Sequence, residues 1–183
     1  MPRPVVCLFL LAVLAVDTEA PPSTVADGIA VGSPRLLARL PEICPTPDGM
    51  VLGADGRVIL TCPNYAEPTH PGVLLVLDAE DRPRLLVRVP THPRTGVSCP
   101  MGIDRGPAGE LYIADNQGWA VPNDEGRLLR IEISDGRVAR SVVVAHGMRH
   151  PNGVRVRGEY VYVTQSLLVK EGDRKSTRLN SSH

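Results

Sequence analysis

Short apolar stretches separated by Gly and Pro corners recur along the chain, and one pattern occurs three times. A Pro-x-Gly corner is followed by a short apolar strand, a turn, and a second strand rich in β-branched or aromatic residues. The corners lie at 47–49, 100–102 and 151–153, and the second strands at 57–61, 110–114 and 159–164. The corner glycines are 53 and 51 residues apart (49 to 102, 102 to 153). A repeat near fifty residues that contains strand pairs predicts a β-propeller with one repeat per blade.

Each full repeat contains four predicted strands. In the first repeat they cover 49–52, 58–61, 73–77 and 84–89, and in the second 102–104, 111–114, 127–133 and 138–144. The third repeat supplies its first two strands only. The apolar lead-in at 35–40 fits either an outer strand or a short amphipathic turn. Residues 35–172 therefore predict an all-β partial propeller, with about two and a half blades of four-stranded antiparallel sheet.

Composition agrees with this fold and excludes one class of partner. The chain is 43% hydrophobic with no net formal charge, and it carries 17 Gly and 18 Pro but only 3% aromatic residues. Many turns and aliphatic strand residues are typical of a globular all-β protein. Without a basic stripe, the sequence gives no reason to expect a nucleic-acid partner.

The first twenty residues have the pattern of a secretory signal. Arg3 precedes an apolar run at 5–16, and small residues near Ala20 suit cleavage. This run is too short to span a bilayer, which takes about 20 residues. We therefore expect a signal peptide at 1–20, a leader at 21–34, a secreted or periplasmic protein, and no membrane association after cleavage. An uncleaved anchor or a misassigned start codon is the alternative.

The last eleven residues, 173–183, are polar and lack strand periodicity. They match the translation of a common sequencing adapter codon by codon, and the alternative is a disordered tail. We expect a truncated reading frame and a longer natural protein. The fragment as written is then expected to be inactive and poorly soluble, because its third blade ends with an open apolar edge.

The cysteines indicate a structural role and not a metal-binding one. Once Cys7 leaves with the signal, Cys44, Cys62 and Cys99 remain, so at least one thiol is free or lacks its partner. None of them lies in a Cys-x-x-Cys pair, so the sequence does not indicate a zinc site.

The residue between Pro and Gly differs at each corner: Asp48, Met101 and Asn152. The innermost strands of a propeller begin at the central channel, so this position can converge on one axial point. Carboxylate and amide oxygens suit a hard cation such as calcium. The alternative is that Asp48 and Asn152 are ordinary turn residues.

These corners, together with the strand end at 111–116, resemble the family of gluconolactonase, senescence marker protein and luciferin-regenerating enzyme. The resemblance covers about residues 40–168 and implies a six-bladed propeller with one divalent cation, usually calcium. It implies Asn152 as the family's Asn ligand and Asp48 in place of its Glu, with a third ligand in a blade beyond this chain. Ser98 and Pro100 stand where the family has substrate-holding Arg and Asn, which puts sugar-lactone specificity in doubt.

Other candidate pocket residues stand at corners and at the ends of second strands. A solvated loop is the alternative for the loop residues, and His150 is also considered as a proton carrier. The candidates are Met101, Asn64, Tyr65, Asp115, Asn116, Trp119, His150 and Gln165.

The leading hypothesis is an exported calcium-dependent hydrolase of the lactonase type, acting on a small lactone or ester. The alternative is a non-catalytic, NHL-like propeller that binds a peptide, glycan or protein. An ion held by acidic and amide oxygens favours the enzyme, whereas a channel filled by side chains such as Met101 favours the binding module.

Overall fold

The protein is all-β, and its sheets are the blades of a partial β-propeller. The computed structural model describes residues 35–67, 69–120 and 125–166, together with the backbone of 5–8. Blade one is an antiparallel sheet of β2 (Met50–Leu52), β3 (Val58–Cys62), β4 (Val73–Leu77) and β5 (Pro83–Arg88). Blade two repeats this order with β6 (Pro100–Arg105), β7 (Leu111–Asp115), β8 (Gly126–Ser134) and β9 (Arg137–Met148).

Blade three contains the predicted pair of strands, β10 (Pro151–Arg157) and β11 (Tyr160–Gln165), which are antiparallel. A further strand, β1 (Val5–Leu8), pairs with β11 in parallel. The expectation of an open apolar edge at β11 is therefore wrong for this structure, because β1 covers it. β1 falls inside the predicted signal. The rest of that signal, the predicted leader at 21–34 and the predicted adapter segment at 173–183 lie outside the described residues.

Apolar side chains of neighbouring blades form the core. One cluster joins residues of blade one, such as Leu74 and Val87, to Ile113 and Ile131 of blade two. A second cluster joins blade two to Val161 and other residues of blade three. Burial of apolar area at about 25 cal/mol per Å² is the main force that holds blade to blade.

The predicted strands are confirmed, with shifts of a few residues at most at their ends. β4 matches its predicted bounds, and all five of its residues are buried, as expected of a strand covered on both sides. The expectation of an outer strand or amphipathic turn at 35–40 is wrong, because this segment takes no regular structure. The outer position of blade one is filled by β5, and Leu36 and Leu37 are exposed.

The three corner glycines allow the blades to approach one another at the backbone. A Cβ atom added to Gly49 would lie 2.8 Å from the carbonyl oxygen of Met101, and one added to Gly102 would overlap the carbonyl oxygen of Asn152. Glycine is therefore required at these two corners because backbone fills the space of a side chain. Each corner rests directly on the next one along the chain.

A disulfide between Cys44 and Cys62 ties the segment before the first corner to the end of β3, and it packs with Val73 and Leu75. Cys99 is the free, buried thiol of the described residues, so the odd cysteine count is explained. The described residues contain one helical segment, the 3-10 turn Gln117–Trp119, and no helix there is long and apolar enough to cross a membrane.

Candidate functional site

The residues before the corner glycines lie in a row at one end of the innermost strands, which we call the corner end. Asp48 precedes β2, Met101 lies at the start of β6, and Asn152 lies at the start of β10. The loops after β3 and β7 reach the same end, because Met50 pairs with Leu60 near the end of β3. The predicted ion residues and most of the predicted pocket residues thus share one side of the molecule.

Asp48 as a whole residue is exposed to solvent. Surrounding protein atoms nevertheless partly desolvate its carboxyl group, and this burial raises its pKa. Its carboxylate makes no hydrogen bond or ion pair with any described side chain, although its backbone N–H donates to the carbonyl oxygen of Thr61 at 3.0 Å. Partial desolvation without a cationic partner shifts the preference of a carboxyl group toward its neutral form, so the pKa rises. A bound cation would reverse that preference.

The other two corner residues differ in character. Asn152 is half-buried. Met101 is buried, with 5% of its surface exposed, and its carbonyl oxygen accepts a hydrogen bond from the hydroxyl of Thr61 at 2.6 Å. Met101 therefore stands at the corner between the two predicted ligands. It contributes an apolar side chain, and its carbonyl oxygen is already hydrogen-bonded to Thr61.

The donor types of Asp48 and Asn152 fit a hard divalent cation, since both offer side-chain oxygen. Among the described residues, however, no group of three or more His, Cys, Asp or Glu side chains is placed to hold a metal. Two protein oxygens are well below the roughly six to eight that calcium takes.

A pocket of about 360 Å³ opens between the loops of blades one and two. Four of the predicted pocket residues line it: Asn64, Tyr65, Asn116 and Trp119. Four others do not: Met101, Asp115, His150 and Gln165. The lining also includes Arg88 at the end of β5 and Cys99 just before β6.

Asp115 lies beneath the pocket, where it is fully buried. One carboxylate oxygen accepts hydrogen bonds from the backbone N–H of Cys99 at 2.7 Å and from the amide of Gln117 at 2.9 Å. The other accepts from the Nε of Arg127 at 2.6 Å, and Arg127 in turn donates to the carbonyl of Pro90 at 2.7 Å. Asp115 therefore anchors the connection between the blades and cannot face a ligand.

The thiol of Cys99 sits close to two carboxylates. Burial raises its pKa to about 12, with further contributions from the negative charges of Asp115 and Asp48. A thiol with so high a pKa stays protonated near neutral pH and is a poor nucleophile. A thiolate mechanism at this pocket is therefore disfavoured.

Three rings form a row across the corner end. Tyr65 stacks on Trp119 with centroids 4.7 Å apart, and His150 meets the same Trp119 edge-on at 5.6 Å. They come from the β3–β4 loop, the β7–β8 loop and the β9–β10 corner, so the row joins all three blades. His150 adopts a positive φ of 45°, and its ring lies against Gly118.

Hydrogen bonds hold two further predicted residues in structural roles. Gln165 accepts from the backbone N–H of Arg149 at 2.6 Å, which closes the third corner. Asn64, at a φ of 55°, donates to the carbonyls of Ile43 and Pro71, both at 2.8 Å. The side-chain oxygen of Asn64 is buried without a partner among the described residues.

Sequence reasoning missed Gln117, Arg127 and Arg88. A signal existed for Arg127, because the register of β7 with β8 places it directly opposite Asp115. It also missed that Ser98 uses its hydroxyl to bond the carbonyl of Val89 at 3.1 Å. Ser98 is therefore held by the protein.

No family model matches the chain, and neither does any curated protein. Among solved structures, the chain is similar to one described as a candidate gluconolactonase, with 17% identity and a TM-score of 0.47. The similarity covers 64% of this chain and 40% of that one, so this chain spans less than half of the matched structure. At this level the likeness carries no argument about function.

Proposed function

We propose that the chain forms part of a divalent-cation-dependent hydrolase of the lactonase type, with Asp48 and Asn152 as two of the ligands. The stacked corner glycines carry the proposal, because they align the residues before them at one end of the molecule. Support also comes from Asp48, a partly desolvated carboxylate with no cationic partner among the described side chains. Calcium is the expected ion, since it binds carboxylate and amide oxygens.

When bound, a divalent cation polarises an ester carbonyl and stabilises the negative charge that develops on its oxygen. The chain's own residues would hold and orient the substrate. The pocket beside the corner end would accept the part of the substrate that does not react. Ring opening by water forms one carbon–oxygen bond and breaks another, and the attacking water gives up a proton while the leaving alkoxide takes one up. His150, on the same face, is the candidate carrier of that proton.

Calcium binding by the full chain tests the proposal. With only Asp48 and Asn152 as protein ligands, we expect one weak site, with a Kd of about 1 mM or weaker by comparison with low-affinity extracellular sites. Asp48→Asn and Asn152→Ala should each abolish the heat of binding in calorimetry. Asp81→Asn, which changes an acid in the β4–β5 turn, is the matched control and should bind as the parent does.

Lactone hydrolysis, followed by proton release with and without calcium, is the second arm. Calcium-dependent release that Asp48→Asn removes would support the enzyme. Calcium binding that Asp48→Asn leaves unchanged would contradict the proposed site, whatever the rate of hydrolysis.

A second candidate is a non-catalytic binding module. The burial of Met101 favours it, because an apolar side chain then occupies the middle corner where an oxygen would help to hold an ion. The exposed pair of Tyr65 and Trp119 would supply the contact surface. Ligand binding with no calcium effect and no hydrolysis would favour this candidate.

A further inference from the structure

We propose that the pocket between blades one and two binds a small carboxylate that carries a flat ring. The pocket lies at the corner end and measures about 360 Å³, within the range of small-ligand sites. This inference goes beyond the lactonase proposal, because recognition here uses side chains that are not ion ligands.

The charge of the pocket selects an anion. Arg88 is the one permanently charged side chain among the described lining residues, and no described Asp or Glu lines the pocket. Arg88 makes no ion pair with any described residue. By contrast, Arg82 and Arg84 of the same segment both pair with Asp78, at 2.9 and 3.3 Å. An arginine that lines a pocket and has no counter-ion is suited to a carboxylate, because its guanidinium can bind one through two parallel hydrogen bonds.

The aromatic wall selects a flat ring. Tyr65 and Trp119 stack with their planes 15° apart, yet they remain 41% and 55% exposed. Covering the exposed apolar surface of large rings at a pocket is energetically favourable. A ligand ring in an offset-stacked arrangement covers that surface with favourable geometry. A ligand ring that packs against this pair would leave its carboxylate free to reach toward Arg88.

Three of the other polar side chains that line the pocket are already engaged by the protein. The hydroxyl of Ser98 donates to the carbonyl of Val89, and the side-chain oxygen of Asn116 accepts from the N–H of Gly118 at 3.0 Å. The amide nitrogen of Asn64 serves two backbone carbonyls. These hydrogen bonds are made within the protein, whereas the side chain of Arg88 and the exposed rings have no such hydrogen-bond or ion-pair partner among the described residues.

The fluorescence of Trp119 tests this inference, since it is the one tryptophan of the chain. The full chain is titrated in EDTA with benzoate, benzyl alcohol and acetate. We expect benzoate to change the emission saturably and to bind at least about 10-fold more tightly than the ring without the charge or the charge without the ring. Calorimetry of the same titrations serves as the second readout.

Variants separate charge from shape. Arg88→Gln should remove the advantage of benzoate over benzyl alcohol, Arg88→Lys should keep part of it, and Arg84→Gln should keep all of it. Tyr65→Leu should weaken the binding of benzoate and of benzyl alcohol alike.

Equal binding of benzoate and benzyl alcohol by the parent, or an unchanged preference in a folded Arg88→Gln protein, would overturn the proposal. So would the absence of any saturable response to benzoate. Because EDTA is present throughout, a failed calcium site cannot cause these results.

Discussion

The hydroxyl of Thr61 joins two blades: it accepts the N–H of Gly49 at 2.8 Å and donates to the carbonyl oxygen of Met101 at 2.6 Å. Thr164 repeats the first of these bonds in blade three, where its hydroxyl accepts the N–H of Gly153 at 2.8 Å. Blade two has Ala114 in the corresponding position and makes neither bond. One side-chain oxygen thus fixes both a corner and the contact between successive corners.

We expect Thr61→Val to destabilise the fold by about 1–3 kcal/mol, because it leaves buried backbone groups of both corners without a partner. Thr61→Ser keeps the hydroxyl and should cost less. Thr164→Val removes the one equivalent bond and should also cost less than Thr61→Val. Urea denaturation of the three variants measures this order, and equal losses for Thr61→Val and Thr164→Val would contradict the bridging role.

The buried pair of Asp115 and Arg127 supports a second prediction. Asp115→Asn should destabilise by about 3–5 kcal/mol, because it leaves the buried guanidinium without its counter-charge. Glu132→Gln, which breaks an exposed contact with Arg130 and Arg140, should change stability by at most about 0.5 kcal/mol. Similar small effects of both changes in chemical denaturation would contradict a structural role for Asp115.

The acid sensitivity of blade one is predicted from Asp78. Desolvation acts to raise its pKa, but hydrogen bonds from Arg82, Glu80 and Arg84 outweigh it and lower the pKa to about 2. The folded pKa therefore lies below the unfolded value of about 3.9. The stabilising contribution is present above about pH 4 and is lost as the pH falls toward about 2.

Asp78→Asn should remove this part of the acid dependence. Denaturant titrations between about pH 5 and about pH 2 should show a smaller loss of stability for the variant than for the parent. Parallel curves for the two proteins would rule out the predicted contribution.

The thiol of Cys99 should be unreactive in the native protein. It is 5% exposed, and burial with the charges of Asp115 and Asp48 raises its pKa to about 12. In a Cys7→Ser variant, which removes the cysteine of the predicted signal, we expect no labelling by a soluble thiol reagent near pH 8 until denaturant is added. Rapid labelling of the native variant would mean that the floor of the pocket is open.

Much of the fold could be predicted because its signals are local. Each Pro-x-Gly corner, the continuous apolar strand β4 and each Asp-Gly turn is a motif of only a few residues. Asp135 and Gly136, for example, both adopt positive φ, as the tight turn between β8 and β9 requires. The pairing of Cys44 with Cys62 was not predictable in the same way, since three candidate cysteines left the partner open.

The candidate site was less predictable, because it depends on which loops the packed blades bring together. Nothing local shows that Tyr65 stacks on Trp119, residues of different blades. Asp115 looked like a pocket residue because it ends a strand beside a polar loop. Its cross-strand partner Arg127 turns it inward, and that pairing depends on the register of β7 and β8.

The pKa of Asp48, followed by carboxyl NMR with and without calcium, tests the central claim most directly. Without calcium, partial burial should hold this pKa above the ordinary value. Calcium competes with the proton for the same oxygens, so saturating calcium should lower the pKa of Asp48, and Asn152→Ala should reduce that shift. A calcium-induced decrease in the pKa of Asp48 is the predicted result. A pKa that calcium leaves unchanged would contradict the proposed ion site.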